Sequence, residues 1–410
     1  MDLLLRVPKK EKFNHEITIS GSKSESNRLL ILQKLFPEIN IANLSSSDDS
    51  VHMQEALSGN SDIVDIGHAG TAMRFLTAYF ASQVGITKVL QGSDRMHNRP
   101  IAILVEALQS LGADIKYLGK EGYPPLSITG KELIKDEITI QGNVSSQYIS
   151  ALLLIAPSLK RGLEVNLLGE ITSVPYIEMT LSLLNQLGIE TIFQDNKIKV
   201  SPTKNINKGT LTVEADWSSA SYFYSLVALG EVGSRIQLAA YKEESLQGDS
   251  CLAKIYNHFG VSTTFNGTTI LLEKTTTTNK KMLDLNLIKA PDIAQTIAVT
   301  CFALGVPCDL HGLHTLKIKE TDRLEALKEE LTKLGANITI TNESLHLKES
   351  ENINKDVVIE TYNDHRMAMA FAPLALKAPL QIKDAMVVTK SYQNFWKDMN
   401  HIGIHQEVVK

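Results

Sequence analysis

The segment LGADIKYL, residues 111–118, returns along the chain as LGIETIFQ (187–194), FGVSTTFN (259–266), LGANITIT (334–341) and, more faintly, IGIHQEVV (402–409). In each copy a glycine flanked by apolar residues separates a run of helical spacing from positions that alternate. Ahead of the fourth copy, Leu324, Leu327, Leu331 and Leu334 fall three and four residues apart, which lines one helical face, and Gly335 supplies the stop. Behind it, ITITNESLHLK reads as two short strands with Asn342 and Glu343 at the turn. A second helix precedes the first in each unit: SSQYISALLLIAPSL comes before PYIEMTLSLLNQLG, and APDIAQTIAVTCFALG before LEALKEELTKLG. Pro100 and Pro175 fall where a first helical turn tolerates proline. The glycines recur every 70 to 75 residues or so, the mark of a structural repeat. The expected architecture is therefore α/β, built of repeated units that bury helices and turn a sheet toward solvent.

The 410 residues, 43% hydrophobic and 21% charged, suit an ordinary globular protein of two or three domains. With 41 basic and 46 acidic residues the net charge is -5, which argues against a general nucleic-acid or membrane-surface role. Any anion binding must be local. The opening MDLLLRVPKK is broken by charge and proline and does not read as a secretory signal, and no apolar run has the length of a membrane span, so a cytoplasmic protein is expected. Cys251, Cys301 and Cys308 have neither CxxC spacing nor an even count, and read as reduced core thiols.

Against that negative background, cations recur at helix starts. KETDR, residues 319–323, reads as opening a helix with Lys319 and Arg323 on one face at its positive end, where an anion is held. GSKSESNRLLILQKLF places Lys23 before a first turn and Ser24 and Arg28 on one face. GHAGTAMRFL offers Gly67 and Gly70 for close backbone approach, Thr71 as a cap and Arg74 on the helix. In GSDRMHNRPI, Arg95 and Arg99 flank a turn, and SSQYISALL sets Ser145, Ser146 and Gln147 at a helix start. Ser173 and Tyr176 in ITSVPYIEM repeat that arrangement. Asp292 in KAPDIAQTIAV lies between proline and an apolar helix, where partial burial would raise its pKa and fit it to carry protons. YNDHRMAMAF puts Asp364, His365 and Arg366 at a further helix start, and Lys390 in VVTKSYQNFW lies between a strand and a helix. Singly, each has a plainer reading as a cap or a solvated charge. Five or six such starts together imply a ligand with several anionic groups. Neither GxxxxGK[ST] nor GxGxxG is present, so the familiar nucleotide loops are not indicated.

GSKSESNR, GHAGTAMR, GSDRMHNRPI, SSQYISALL, ADWSSASYF, KIKETDRL and YNDHRMAM, in this order and spacing from about Ile17 to Trp396, resemble the 5-enolpyruvylshikimate-3-phosphate synthase family. The resemblance implies transfer of the enolpyruvyl group of phosphoenolpyruvate to the 5-hydroxyl of shikimate 3-phosphate by addition and elimination, with release of inorganic phosphate and no metal or cofactor. It implies a two-domain inside-out α/β barrel of six βαβαββ units. One domain is residues 21–213, the other combines 1–20 with 214–410, and the active site lies in the interdomain cleft. Lys23, Gly70, Arg95, Gln147, Arg323, Arg366 and Lys390 would meet phosphoenolpyruvate. Lys23, Ser24, Arg28, Ser145, Ser146, Gln147, Ser173, Asp292, Thr315 and Lys319 would hold shikimate 3-phosphate, and Asp292 and Glu320, supported by Lys23, would move the protons. A monomer without nucleic-acid or membrane partners is expected, as is competition by glyphosate for the same cations, with a methyl group at position 70 projecting toward the phosphate end.

The chain departs from the family pattern in four places. Thr315 and His68 stand where asparagines are usual, Phe75 follows Arg74 in place of a proline, and the segment from Asp49 to Gly67 is short, so that one of the six units should be incomplete. Two alternatives are weaker. The related UDP-N-acetylglucosamine enolpyruvyl transferases normally have Lys-Asn where this chain has Lys23-Ser24, and a cysteine in the loop matching GSDRMHNRPI, which here has none. A non-catalytic sugar-phosphate binder would keep the arginines and lose Asp292 and Glu320, both of which are present.

Overall fold

The computed structural model describes residues 1–7, 12–171, 174–350 and 352–409. The strand pattern shows why the glycine phrase repeats. Among the described residues, five four-stranded sheets have one layout, a parallel pair continued by two antiparallel strands. In one of them Leu283–Asn286 runs parallel to Cys308–His311, which pairs antiparallel with Leu345–Leu347, which pairs antiparallel with Ile338–Ile340. A parallel pair needs a crossover, and here the helix Ala294–Leu304 supplies it. The antiparallel pair needs only a tight turn, which the residues between Ile340 and Leu345 form.

The phrase glycines Gly112, Gly188, Gly260, Gly335 and Gly403 all have positive φ, from 76° to 114°. That left-handed conformation ends a helix and turns the chain into the next strand, and a residue with a Cβ adopts it at a cost. The sixth sheet, among the described residues, has only a parallel pair, Ile39–Ala42 with Gly209–Thr212. Its helix Asp48–Ser58 ends at Gly59 with φ -75°, and the next strand, Ile63–Asp65, already belongs to another sheet. The short segment after Asp49 thus corresponds to a missing antiparallel hairpin.

The chain forms two compact units, Met1–Ser20 with Glu214–Lys410, and Gly21–Val213. Each has its own apolar core. Strands alternate buried and exposed residues, as in Glu137–Gln141, while helices such as Gly70–Ser82 and Trp217–Leu229 are buried on nearly every side. A helix apolar all round belongs inside a core, and a half-polar strand at its edge. Gly21 begins the second unit against Val213, whose Cγ1 would stand 2.6 Å from any added Cβ. Among the described residues no helix is long and apolar enough to cross a membrane. The three cysteines are free, with Cys301 and Cys308 buried in the core.

Where the chain re-enters the first unit, the buried Glu214 carboxylate accepts hydrogen bonds from Trp217 Nε1 (2.7 Å), the Lys242 backbone N–H (3.0 Å) and Ser245 Oγ (2.7 Å). These bonds fix the start of the helix Trp217–Leu229, whose N-cap is Asp216. Orphaning one buried partner costs roughly 1–3 kcal/mol. Glu214→Ala should therefore lower unfolding stability by about 3 kcal/mol or more, and Glu214→Gln, which keeps one acceptor oxygen, by clearly less, as read from urea titrations followed by circular dichroism.

Candidate anion-binding clusters

In the first unit, the loop from Lys319 to Asp322 leads into the helix Arg323–Lys333, capped by Asp322, which accepts from the Leu324 and Glu325 N–H groups at 3.2 Å each. The helix thus opens at the end of KETDR, and Lys319 stands before it. Lys319 and Arg323 do not share a helical turn; they converge on Asp292, at 3.5 and 2.8 Å from the same oxygen.

Arg323 is the centre of this cluster, with its side chain 2% exposed. Its Nε donates to Asp364 Oδ2 (2.6 Å), Nη1 to Asp292 Oδ1 (2.8 Å) and Nη2 to Glu320 Oε2 (2.7 Å). Burial alone would lower its pKa, but Asp364, Glu320 and Asp292 together hold it above the ordinary value. Asp364 caps the helix His365–Phe371 through the Arg366 N–H at 2.8 Å, and Arg366 Nη2 donates to Asp292 Oδ2 and Ser218 Oγ, both at 3.2 Å. Asp292, on the turn Pro291–Ile293, therefore does not cap its helix; it is the shared counter-ion of three cations. Lys390 donates to the Asn363 carbonyl at 2.8 Å, on a turn where Tyr362 and Asn363 both have positive φ, 51° and 56°. Burial pushes the neighbouring His365 imidazole down to about 3, against the pull of Asp364 and Glu320, so it stays neutral. Thr315 lies on the turn His314–Ile318, with its buried hydroxyl lacking a hydrogen-bond partner among the described residues.

The second unit answers its buried cations differently. The helix Lys23–Leu35 carries Lys23 as its first residue, with Nζ 3.5 Å from Asp49 Oδ2. Arg28 is buried and bonded to neutral oxygens: Thr180 Oγ1 (2.8 Å), the Ser24 carbonyl (2.7 Å), Ser150 Oγ (3.0 Å) and the Tyr176 carbonyl (3.2 Å). Its guanidinium also lies 5.4 Å from the Phe75 ring centroid and 5.9 Å from that of Tyr176. Arg74 donates to the carbonyls of Gly70 and Pro100, each at 3.0 Å. Burial lowers both arginines to about 10, with the Arg99 charge adding to the effect on Arg74 and Glu25 opposing it at Arg28. Both stay cationic at neutral pH.

The helix Gly70–Ser82 has Ala69 at its N-cap, so Thr71 does not cap it; instead the Thr71 hydroxyl accepts from Gln147 Nε2 at 3.2 Å. Ser145 caps the helix Ser146–Ile155, on which Ser146 is buried. Pro100 lies before the helix Ala102–Leu111, and its carbonyl serves Arg74 and Tyr148. Exposed His68 pairs with Ser93 Oγ at 2.7 Å. Ser173 lies outside the described residues.

Arg99 reaches Gly70. Arg95 is exposed at the turn Met96–Asn98, whereas the Arg99 Cζ and Nη2 stand 2.8 and 2.9 Å from where a Cβ on residue 70 would be. The resemblance assigned Arg95 and not Arg99 to phosphoenolpyruvate, and the close approach to Gly70 is what brings Arg99 forward. Ser218 and Asp249, linked to Arg366 through the Ser218 hydroxyl, were also missed, since ADWSSASYF entered only as part of the family resemblance and neither it nor QGDSC carries a cation. Among the described residues no group of His, Cys, Asp or Glu is placed to hold a metal ion.

The chain is a repeat-built α/β protein whose buried arginines are answered by carboxylates in one unit and by neutral oxygens in the other. The sequence model of the family described as EPSP synthase (3-phosphoshikimate 1-carboxyvinyltransferase) matches residues 54–399. The 3-phosphoshikimate 1-carboxyvinyltransferase of Bacteroides fragilis is 46% identical over 408 residues, covering 98% of each chain, and that of Neisseria meningitidis is 34% identical, covering 96% of each. A solved EPSP synthase structure from Acinetobacter baumannii covers both chains completely with a TM-score of 0.81 at 21% identity, a likeness of fold. The chain belongs to the EPSP synthase family.

A methyl group at position 70 thus meets the Arg99 guanidinium before it meets any open space. Because Arg99 is an exposed, flexible side chain, Gly70→Ala should cost less than the roughly 1–3 kcal/mol typical of overpacking, and should swing Arg99 aside. A melting temperature near that of the parent, with Arg99 displaced in the variant's crystal structure, is the expected result.

Proposed function

We propose that the two clusters carry out the enolpyruvyl transfer of this family, joining the enolpyruvyl group of phosphoenolpyruvate to the 5-hydroxyl of shikimate 3-phosphate and releasing inorganic phosphate. The observation that carries the residue assignment is the sharing of Arg323 by Asp292 and Glu320, at 2.8 and 2.7 Å. One guanidinium holds two carboxylates at the edge of an anion site, where acid and base are both needed.

Phosphoenolpyruvate presents a carboxylate and a phosphate, and guanidinium forks match both. Arg323, Arg366 and Lys390 in the first unit and Lys23, Gly70, Arg95 and Gln147 in the second are assigned to it. Arg99 joins them because of its place beside Gly70. Lys23, Ser24, Arg28, Ser145, Ser146, Gln147 and Ser173, with Asp292, Thr315 and Lys319, are assigned to shikimate 3-phosphate. Addition needs a proton delivered to C3 of phosphoenolpyruvate and one taken from the attacking hydroxyl, and elimination reverses that traffic. Asp292 and Glu320 carry those protons with Lys23 in support, and the surrounding cations stabilise charge on the departing phosphate. The catalytic inventory is protein side chains alone, and glyphosate, with a carboxylate and a phosphonate, competes for the same cations.

The finer architecture belongs to the same reading. Three sheets in each unit, five of them with one strand layout, support six βαβαββ units arranged as an inside-out barrel, one of them without its hairpin. Each residue set is divided between the two units, which supports a site completed in the cleft when the units close on substrate. A cytoplasmic monomer completes the proposal.

Glu320→Gln keeps shape and hydrogen bonding but removes a proton carrier. Phosphate release should fall by roughly 100-fold or more, with little change in KM. A loss of shikimate 3-phosphate affinity at full turnover would reassign Glu320 to binding. Saturating shikimate 3-phosphate should reduce the radius of gyration in solution scattering, and an unchanged radius would count against closure.

A further inference from the structure

The helix Trp217–Leu229 buries every residue except Ser218. That residue lies between opposite charges: its hydroxyl oxygen accepts from Arg366 Nη2 at 3.2 Å and its proton is donated to Asp249 Oδ2. Asp249 lies on the turn Gly248–Cys251. The charged and titratable groups facing it are Asp292 from the turn Pro291–Ile293, Arg366 from the helix His365–Phe371, Asp216 at the cap of the Ser218 helix and Cys251 on its own turn. Burial, and then the Asp292 charge, push the Asp249 carboxyl up to about 6, against the opposing pull of Arg366 and Ser218.

We propose that Asp249, acting through the Ser218 hydroxyl, is a positioning residue for Arg366 and sets how much of that guanidinium's charge is offered to an anionic substrate. The inference rests on the assignment of Arg366 to phosphoenolpyruvate. A hydroxyl is suited to the link because one oxygen can accept from the cation while its proton goes to the carboxylate. With Asp249 ionised, Arg366 is answered by Asp249 and Asp292 together. With Asp249 protonated, only Asp292 and Asp216 among these carboxylates still act on Arg366, and the cation is freer to bind a new anion. An anion arriving at Arg366 in turn favours the protonated form of Asp249, so binding and proton uptake are linked.

The test is phosphate release with phosphoenolpyruvate varied at saturating shikimate 3-phosphate from pH 5 to 8, for the parent, Asp249→Asn and Ser218→Ala. Titration of phosphoenolpyruvate itself cancels in the parent-to-variant ratio. The parent-to-Asp249→Asn ratio of KM for phosphoenolpyruvate should be near one at pH 5, step upward through about pH 6, and level at roughly fivefold or more, while kcat changes little. Ser218→Ala loses the Arg366 contact and the link together, so its KM should rise at every pH. Relative to the parent its KM should be least impaired above pH 6, where the parent's own affinity is lowered by ionised Asp249. Thermal melts establish that both variants fold, and the Ser218→Ala profile decides the matter should Asp249→Asn not do so. A parent that releases no phosphate refutes the functional reading. An active parent whose ratios are flat with pH, or whose variants change only kcat, overturns this inference alone.

Discussion

A guanidinium taken out of water must have its charge answered, and the way each arginine is answered shapes both clusters. Arg323 is answered by three carboxylates and held above its ordinary pKa, whereas Arg28 and Arg74 are hydrogen-bonded to neutral oxygens and held below theirs. The first arrangement fixes acids around a cation. The second leaves positive charge that hydroxyls and carbonyls orient but do not cancel, so an anion gains more there than at a neutralised pair. In the function proposed above, the first would poise acid and base and the second would draw in a substrate anion.

Backbone positions that only the repeated fold supplies make these answers possible. Parallel strands lead into two of the cation-bearing helices: Ile63–Asp65 precedes the helix Gly70–Ser82 with Arg74, and Val357–Ile359 precedes the helix His365–Phe371 with Arg366. Capping frees some side chains and commits others. Asp322 and Asp364 accept backbone N–H groups at their helix starts, while Asp292, on a short turn without a capping bond, is available to three cations. The loss of one hairpin after residue 58 removes outer strands and leaves the parallel pair intact, so the helix start at Lys23 keeps its support.

Much of this was legible in the sequence, because glycine stops and alternating strands are local properties. The five positive-φ glycines and the strands that follow them needed no knowledge of tertiary structure. Helix starts carrying cations were legible for the same reason. What could not be read was pairing between distant segments. Lys319 and Arg323 suggested a shared helical face, yet the chain does not become helical until Arg323 and both side chains turn to Asp292 instead. The choice between Arg95 and Arg99 depended on an approach to Gly70 across a turn, and the link from Asp249 to Arg366 depended on a serine in an otherwise buried helix. Phe75, which reads as a departure from the family's usual proline, packs its ring near the Arg28 guanidinium, a contact that no local pattern announces.

In the proposed mechanism, carboxylates held on these cations move protons during addition and elimination. The most direct measurement is phosphorus and proton NMR of the chain mixed with phosphoenolpyruvate and shikimate 3-phosphate in deuterated water. One inorganic phosphate should appear for each phosphoenolpyruvate consumed, together with an enolpyruvyl ether carrying deuterium in its vinyl group. Phosphoenolpyruvate that stays intact, or that breaks down to pyruvate while shikimate 3-phosphate is unchanged, would contradict it.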